Sequence, residues 1–270
     1  MGPFPKYLTF RNVLVGMFSI WAIGIILKLA WWWYLLVFMV ALTISYLGTT
    51  QIGSNFHMPA FCNLANCKNK VIAITFDDGV SKPEQSEKVL DILKQYNIPA
   101  TFFCIGKNLV DETQIKVLKR IDTEGHIIGN HSYSHSAFYD FYSSNKIEKD
   151  TLKTDRLIEQ YTGKKPLFYR PPYGITTPNI AKAINRIGHK TIGWSLRSLD
   201  TVIKDPNTLI NRIKHKLKNG DILLFHDHVS YMPAFLPLFL EYILKEGYMI
   251  IGVDELLDLR PYEQLHSASL

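Results

Sequence analysis

The sequence predicts an α/β fold, a parallel sheet or incomplete barrel, set behind an N-terminal membrane segment. Three observations lead there. From residue 70 onward, seven short apolar runs alternate with helical stretches, the pattern of strands joined by helical crossovers. Carboxylates, imidazoles and an arginine sit at the ends of those runs, where barrel-like α/β folds gather their working groups. Residues 13–47 are almost continuously apolar, broken only by Lys28.

The elements follow in order. VIAITF (71–76) is a compact apolar strand. Residues 83–96 place Val89, Leu90, Ile92 and Leu93 on one helical stripe. ATFFCI (100–105) is the next strand. Residues 112–122 form a helix with Ile115, Val117, Leu118 and Ile121 inward. HIIGN (126–130) is a short strand that leads into a histidine-bearing loop, and a polar helix follows at about 146–162. PLFYR (166–170) opens the second half, with a helix over 177–187 and KTIGWS (190–195) as strand. PNTLINRIKHKLKNG reads as a helix with Pro206 at its start and Gly220 near its end. DILLFH (221–226) is a strand, 233–246 an apolar-rich helix and YMIIGV (248–253) the last strand.

The apolar run is long for one crossing of about 20 residues. Lys28, followed by Trp31, Trp32, Trp33 and Tyr34, marks a turn-round point: a lysine that snorkels beside aromatics that favour the interface. The preferred reading is two closely connected spans, 11–28 and 31–48. Its rival is one long tilted anchor, which must tolerate Lys28 near mid-bilayer. Positive charge at Lys6 and Arg11 favours an inside N-terminus, and so pulls toward the single span if the domain is external. The resulting division is an anchor over 1–48, a linker over 49–69, a globular domain over 70–260 and a tail over 261–270. Gly53, Asn55 and Pro59 interrupt regular structure in the linker, while Phe56, Met58, Phe61 and Leu64 give it surface to pack on the membrane or the domain.

The formal net charge is +6. No Arg/Lys cluster is interleaved with stacking aromatics, so the charge reads as a solubilising surface and not as a nucleic-acid site. Cys104 lies inside an apolar strand and reads as a buried free thiol. Cys62 and Cys67 do not match a paired CxxC zinc site. In an oxidising compartment they can close a small disulfide loop; spacing alone equally allows two free thiols.

The chemistry sits in a few short motifs. Asp77 and Asp78 follow the first strand, and adjacent carboxylates are costly there without partners. One can ligate a metal while the other faces substrate. His131 and His135 are four residues apart, and on a helical turn their rings would share a face. With Asp78 they make a set of two imidazoles and one carboxylate, for which zinc is the first choice and cobalt, nickel or manganese also fit. His126 reads as packing or support. Arg170 opens a rigid RPPYG corner and can fork onto a catalytic carboxylate. Within that corner Tyr173 keeps a backbone N–H for an oxyanion, whereas Pro171 and Pro172 have none. Asp200 can fix the tautomer of His226 and favour its charged form, leaving His226 as general acid. Asp227 and His228 are close alternatives to it.

Taken together, TFDDG (75–79), HSYSH (131–135), RPPYG (170–174), WSLRSLDT (194–201) and LLFH (223–226) resemble the polysaccharide deacetylase family, also called NodB-homology or carbohydrate esterase family 4 enzymes. The resemblance covers about Lys70 to Leu257. It implies a distorted (β/α)7 barrel and a metal-dependent hydrolase that removes N-acetyl groups from N-acetylglucosamine-containing polysaccharide or peptidoglycan. Position by position it implies Asp77 as base, Asp78, His131 and His135 as ligands of one divalent ion, and Arg170 as tether of the base. His226 is then the acid and Asp200 its tuner, with Tyr173, Leu224, Pro172 and Trp194 on the oxyanion and substrate side. Two departures fall on the pocket wall: Arg197 stands where the pattern commonly has an acid, and Thr201 where it has a tryptophan. Val80 follows Gly79 where a proline is common. The implied partners are an N-acetylated glycan and, through the N-terminal segment, membrane lipid. The implied place is a bacterial-type cytoplasmic membrane with the domain outside the cytoplasm. An O-deacetylase, or a catalytically silent glycan-binding envelope protein, are the competing readings.

Overall fold

The structure is a computed structural model that describes Pro5 and residues 7–264. Lys6 and residues 265–270 of the predicted tail lie outside the described residues.

Two helices, α1 (Phe10–Ile26) and α2 (Trp31–Thr50), form an antiparallel hairpin. Lys28 takes a left-handed conformation at its turn, φ 53°. Trp21 Nε1 donates to the Tyr34 carbonyl at 3.2 Å across the pair. Only α2 is long and apolar enough to cross a membrane among the described residues. At 17 residues α1 spans about 26 Å, a little short of the roughly 30 Å hydrocarbon core.

From α2 the chain runs straight onto the globular part. A tight turn at Ile52–Ser54 follows, and Phe56 packs on Val13 and Ala41 of the hairpin. The Thr176 N–H donates to the Thr49 carbonyl at 3.0 Å. Residues 61–63 then pair with the sheet at Ile192 (parallel) and Asp221 (antiparallel). The stretch read as a linker is therefore a strap, held by backbone bonds at both ends.

The sheet begins with β1 (Val71–Gly79), α3 (Pro83–Tyr96), β2 (Thr101–Cys104), α4 (Glu112–Thr123) and β3 (Ile127–Asn130). It continues through α5 (Ser144–Thr162), β4 (Phe168–Tyr169), α6 (Pro178–Ile187), β5 (Lys190–Thr191) and β6 (Leu196–Arg197). It closes with α7 (Pro206–Lys216), β7 (Ile222–His226), α8 (Met232–Lys245), β8 (Met249–Ile250) and α9 (Val253–Leu257). Caps explain several boundaries. Thr177 caps α6 by accepting from the Ile180 N–H, Pro178 opens it, and Gly188 closes it at φ 78°. Asp205 caps α7 through the Thr208 N–H at 2.7 Å. That helix stops at Lys216; Gly220, expected near its end, instead turns the chain into β7 at φ 80°.

The strands are parallel in the order β5-β4-β3-β2-β1-β7-β6, with β8 on the start of β1. This is the curled parallel sheet of the predicted barrel class. It carries one strand more than the seven expected, because Leu196–Arg197 pairs with Leu223–Leu224. Two residues are too few to show a period, so that strand was not legible. The alternation of β1 splits the core. Ile72, Ile74 and Phe76 pack under the helices with Leu90, Val117 and Phe239. Val71 and Ala73 point inside with Phe103, Phe168, Ile192 and Ile222. Each fully buried Val, Leu, Ile or Phe among them contributes about 1.5–3 kcal/mol. The inner apolar floor ends below Thr75, and polar groups fill the barrel above it.

Candidate active site

The rim is built by the carboxyl ends of β1, β3, β4 and β7, with loops after β5 and β6. A regular strand would send Asp77 inward and Asp78 out with Phe76. The structure avoids this: the register slips between Phe76 and Gly79, and Asp78 takes φ 59°. Such a bulge re-aims a side chain, and here it turns both carboxylates to the rim.

Asp77 is held by Arg170. The guanidinium is fully buried and gives Nη1 to Asp77 Oδ1 at 2.7 Å and to Thr75 Oγ1 at 2.8 Å. Its Nε and Nη2 donate to the carbonyls of Ile192 and Gly193. The arginine also lies 4.0 Å from the Phe103 ring centroid, above the apolar floor. Burial alone would raise the Asp77 carboxyl; Arg170, then His131 and His226, outweigh it and hold the group below the ordinary carboxylate value. Oδ2 of the same carboxylate faces His131 Nε2 at 3.8 Å.

His131 and His135 converge without a helix. The HSYSH segment is a loop with Ser132 at φ 64° and His135 at φ 41°. His131 Nδ1 donates to the Arg170 carbonyl at 2.8 Å, which leaves Nε2 bare for a ligand bond. Asp78 Oδ1 lies 3.5 Å from His135 Nε2 and 3.8 Å from His131 Nε2. The three ligand atoms lie within 4.8 Å of one another. Neighbouring ligands around a tetrahedral zinc are about 3.4 Å apart given bonds of about 2.0–2.1 Å, so these residues fit a divalent ion. Burial, then His131, brings His135 down to about 4 and keeps its imidazole neutral, as ligation requires.

On the other side, Asp77 and His226 are directly paired residues of β1 and β7. Asp200 grips His226 twice, accepting from its backbone N–H at 2.7 Å and from Nδ1 at 2.9 Å. Burial would lower the His226 imidazole; the hydrogen bond and charge of Asp200, then Asp77 and Asp78, overcome that and raise it. Of the two alternatives, Asp227 is buried and bonded to Ser86 Oγ, away from the rim. His228 Nδ1 stands 3.9 Å from Asp78 Oδ2, at the edge of the metal set.

Tyr173 sits on a left-handed turn (φ 59°, ψ 0°) within Pro172–Gly174, its ring 4.8 Å from that of His135 and half exposed. Trp194 packs on Gly174, where an added Cβ would come 2.3 Å from the indole. Leu224 points inward between Ile222 below and His226 above, by strand alternation. His126 lies at the opposite end of β3, accepting from the Ala100 N–H at 3.2 Å, and is a packing residue. Cys62, Cys67 and Cys104 are all free thiols, with Cys104 buried as expected.

Sequence reasoning missed the supports of the histidine loop. Asn130 accepts from the Ser132 N–H at 2.7 Å and donates to Asp155 Oδ1 at 2.6 Å, and His189 Nε2 meets that same oxygen at 3.1 Å. Asp150 accepts from the Tyr133 N–H at 2.7 Å. The signal was there in α5, whose inward stripe carries Thr151, Thr154 and Asp155 where apolar residues are usual. Six of the eleven non-glycine residues with positive φ among those described are Asp78, Val80, Ser132, His135, Tyr173 and Leu199. Backbone strain is thus concentrated at the rim, as it is at functional sites.

A buried carboxylate held by an arginine, an imidazole gripped by a second carboxylate on the neighbouring strand and a metal-fitting triad beside them are an arrangement suited to hydrolysis by an activated water. A family model described as polysaccharide deacetylase matches residues 65–192. The chain is 36% identical over 197 residues to a peptidoglycan-N-acetylglucosamine deacetylase of Bacillus cereus, across 70% of this chain and 88% of that protein. Among solved structures, the Bc1960 peptidoglycan N-acetylglucosamine deacetylase superposes with a TM-score of 0.69 at 28% identity, covering 76% of this chain and 94% of that one. Wild-type BA3943 of Bacillus anthracis, described as a CE4 family pseudoenzyme, gives 0.65 at 28% identity, over 72% and 67%. The chain belongs to the polysaccharide deacetylase family.

Proposed function

We propose that this chain is a metal-dependent N-deacetylase of N-acetylglucosamine-containing envelope glycan. The observation that carries the reading is the in-register pairing of Asp77 with His226 beside the Asp78, His131 and His135 set. Base, acid and ligands are all present and oriented. A fold shared with a pseudoenzyme does not by itself give activity, but a silent glycan binder needs no such proton-transfer pair.

A divalent ion held by Asp78, His131 and His135, with zinc first among the candidates, supplies Lewis acidity toward the acetamide carbonyl and the attacking water. Asp77 takes the water's proton while Arg170 keeps the carboxylate ionised and still. The Tyr173 N–H donates to the oxygen where negative charge collects. His226, held by Asp200, gives its proton to the leaving nitrogen as the C–N bond breaks. Acetate and an amino sugar result. Leu224, Pro172 and Trp194 wall the acetyl and sugar pocket.

The test is acetate release by the full chain in detergent, stripped of metal by a chelator and reloaded. Release from N-acetylglucosamine oligomers or peptidoglycan is expected to vanish on stripping and return with zinc, with free amine appearing in step. No release from any such substrate under any loaded metal overturns the reading. Acetate without amine makes the enzyme an esterase.

The pH profile has a definite sign. Asp77 must be ionised, so activity rises through its depressed pKa; His226 must be protonated, so activity falls through its raised one. Asp200→Asn removes the charge that raises His226. The alkaline limb is expected to move to lower pH while the acid limb stays, and an unmoved alkaline limb would remove Asp200 from this role.

The α1–α2 hairpin fits a membrane anchor that places the domain outside the cytoplasm, over its substrate. A reporter active only outside the cytoplasm, fused after Asn55, is expected to register. Signal solely from a cytoplasmic reporter reverses the placement.

A further inference from the structure

We infer that Asp227 is a positioning residue for the metal centre, holding from the end of β7 the left-handed turn that aims Asp78 at the ion; this deepens the deacetylase reading and rests on its metal site. Asp78 reaches the rim only because the chain leaves the regular path of β1, with Asp78 at φ 59° and Val80 at φ 65°. A left-handed conformation is uncommon outside glycine and an outlier for a β-branched residue such as Val80. Such a backbone persists only where its surroundings over-determine it.

Several constraints act on that turn. The Ser81 N–H donates to the Asp78 carbonyl at 3.2 Å and closes it. Gly79 is pressed against β2, where an added Cβ would come 2.8 Å from Cys104 Sγ. The Val80 side chain is fully buried in the core under the helices. None of these uses the Val80 N–H. That donor lies past Asp77 and His226, the last pair of the β1–β7 ladder, so the ladder offers it no carbonyl. Its acceptor is Asp227 Oδ2, at 3.4 Å.

Asp227 is anchored for this task. It is fully buried, one residue past β7, and the buried Ser86 of α3 gives its Oγ–H to the same Oδ2 at 2.5 Å. One oxygen thus ties the end of β7, the turn after β1 and the start of α3 together. The other oxygen, Oδ1, is buried with no hydrogen-bond partner among the described residues. A carboxylate buried on those terms is costly, and an apolar side chain would fill the space without that cost. Packing therefore does not account for Asp227, whereas an acceptor for the Val80 N–H does. Because Asp227 directly follows His226, β7 fixes the imidazole through its own backbone and the metal-binding carboxylate through Val80. The two sides of the site are set relative to each other by one strand end.

The experiment measures the zinc affinity of the full chain in detergent, by competition with a chromophoric chelator, together with kcat, KM and the Tm of the metal-free protein. Asp227→Leu keeps a side chain of similar size and loses the acceptor. Zinc is expected to bind about 10–100-fold more weakly, the usual cost of losing a hydrogen bond that orients a metal ligand, while KM at saturating zinc stays unchanged. Asp227→Asn keeps a carbonyl oxygen for Val80 and Ser86 and is expected to restore the parent affinity. Ser86→Ala, which removes one anchor of the carboxylate, is expected to fall between the two. Parent zinc affinity in Asp227→Leu, with only its Tm lowered, overturns the inference and makes Asp227 a packing group. Equal weakening in Asp227→Asn and Asp227→Leu assigns the effect to charge and also overturns it. Where Asp227→Leu fails to fold, Ser86→Ala decides: weaker zinc binding at unchanged KM supports the inference, and parent affinity overturns it. A parent chain that binds no divalent ion overturns the metal reading and the inference with it. A parent that binds zinc and releases no acetate from any substrate sinks the deacetylase, and zinc binding weakened by Asp227→Leu in that chain still supports the inference.

Discussion

Asp77→Asn is expected to lower kcat by about 10²–10⁴-fold, the usual contribution of a positioned general base, with metal content unchanged. Asparagine keeps the shape of the side chain, and its oxygen still accepts from Arg170. What it loses is the ability to take a proton. Arg170 retains Thr75 Oγ1 and the Ile192 and Gly193 carbonyls, so the fold stays intact. Asp78→Asn, one residue away, is expected to do the opposite: metal is lost first and activity with it. Metal analysis alongside kcat therefore separates two carboxylates that are neighbours in the chain. If Asp77→Asn keeps activity within a few-fold of the parent, the base is another group.

Arg170→Met is expected to cost about 3–5 kcal/mol of stability, because it strands a buried carboxylate. For a domain of this size that is a fall in Tm of roughly 6–20 °C. The salt bridge itself is not the source of that figure. Both partners are buried, and their attraction mainly offsets their own desolvation. The control follows: Arg170→Met combined with Asp77→Leu leaves no unpaired charge and is expected to recover most of the lost Tm. A single arginine variant that melts with the parent would show that Asp77 takes up a proton without consequence. Any residual activity of Arg170→Met should have its acid limb moved to higher pH, since burial then acts on Asp77 unopposed.

Much of the site was legible because its residues end apolar runs. TFDDG, HSYSH, RPPYG and LLFH each mark a strand and the group it delivers, and the structure brings Asp77, Asp78, His131, His135, Arg170 and His226 to one rim. The manner of delivery was not legible. The slip that turns Asp78 to the rim depends on how β1 registers with β2, a tertiary matter. The two imidazoles meet through a loop with two left-handed residues and not through a helical turn, and the spacing is the same in either case. The Leu196–Arg197 strand is too short to carry a pattern, and the strap's bridges to Ile192 and Asp221 are set by partners far along the chain. The two-helix hairpin was readable from Lys28 and the tryptophans; the docking of its base against Thr176 was not.

The strap has a bearing on the order in which this molecule can be made. Phe61 and Asn63 leave the ribosome early, yet their partners lie beyond residue 190. Pairings of such long reach are slow, since the entropy of closing the intervening chain is spent before the contact forms. The seam between β5 and β7 therefore waits for most of the polypeptide to emerge. Docking of the hairpin and completion of the sheet then become a single event. A chain stalled before that point has the α1–α2 hairpin formed and a strand edge open, the form most prone to join with another copy of itself.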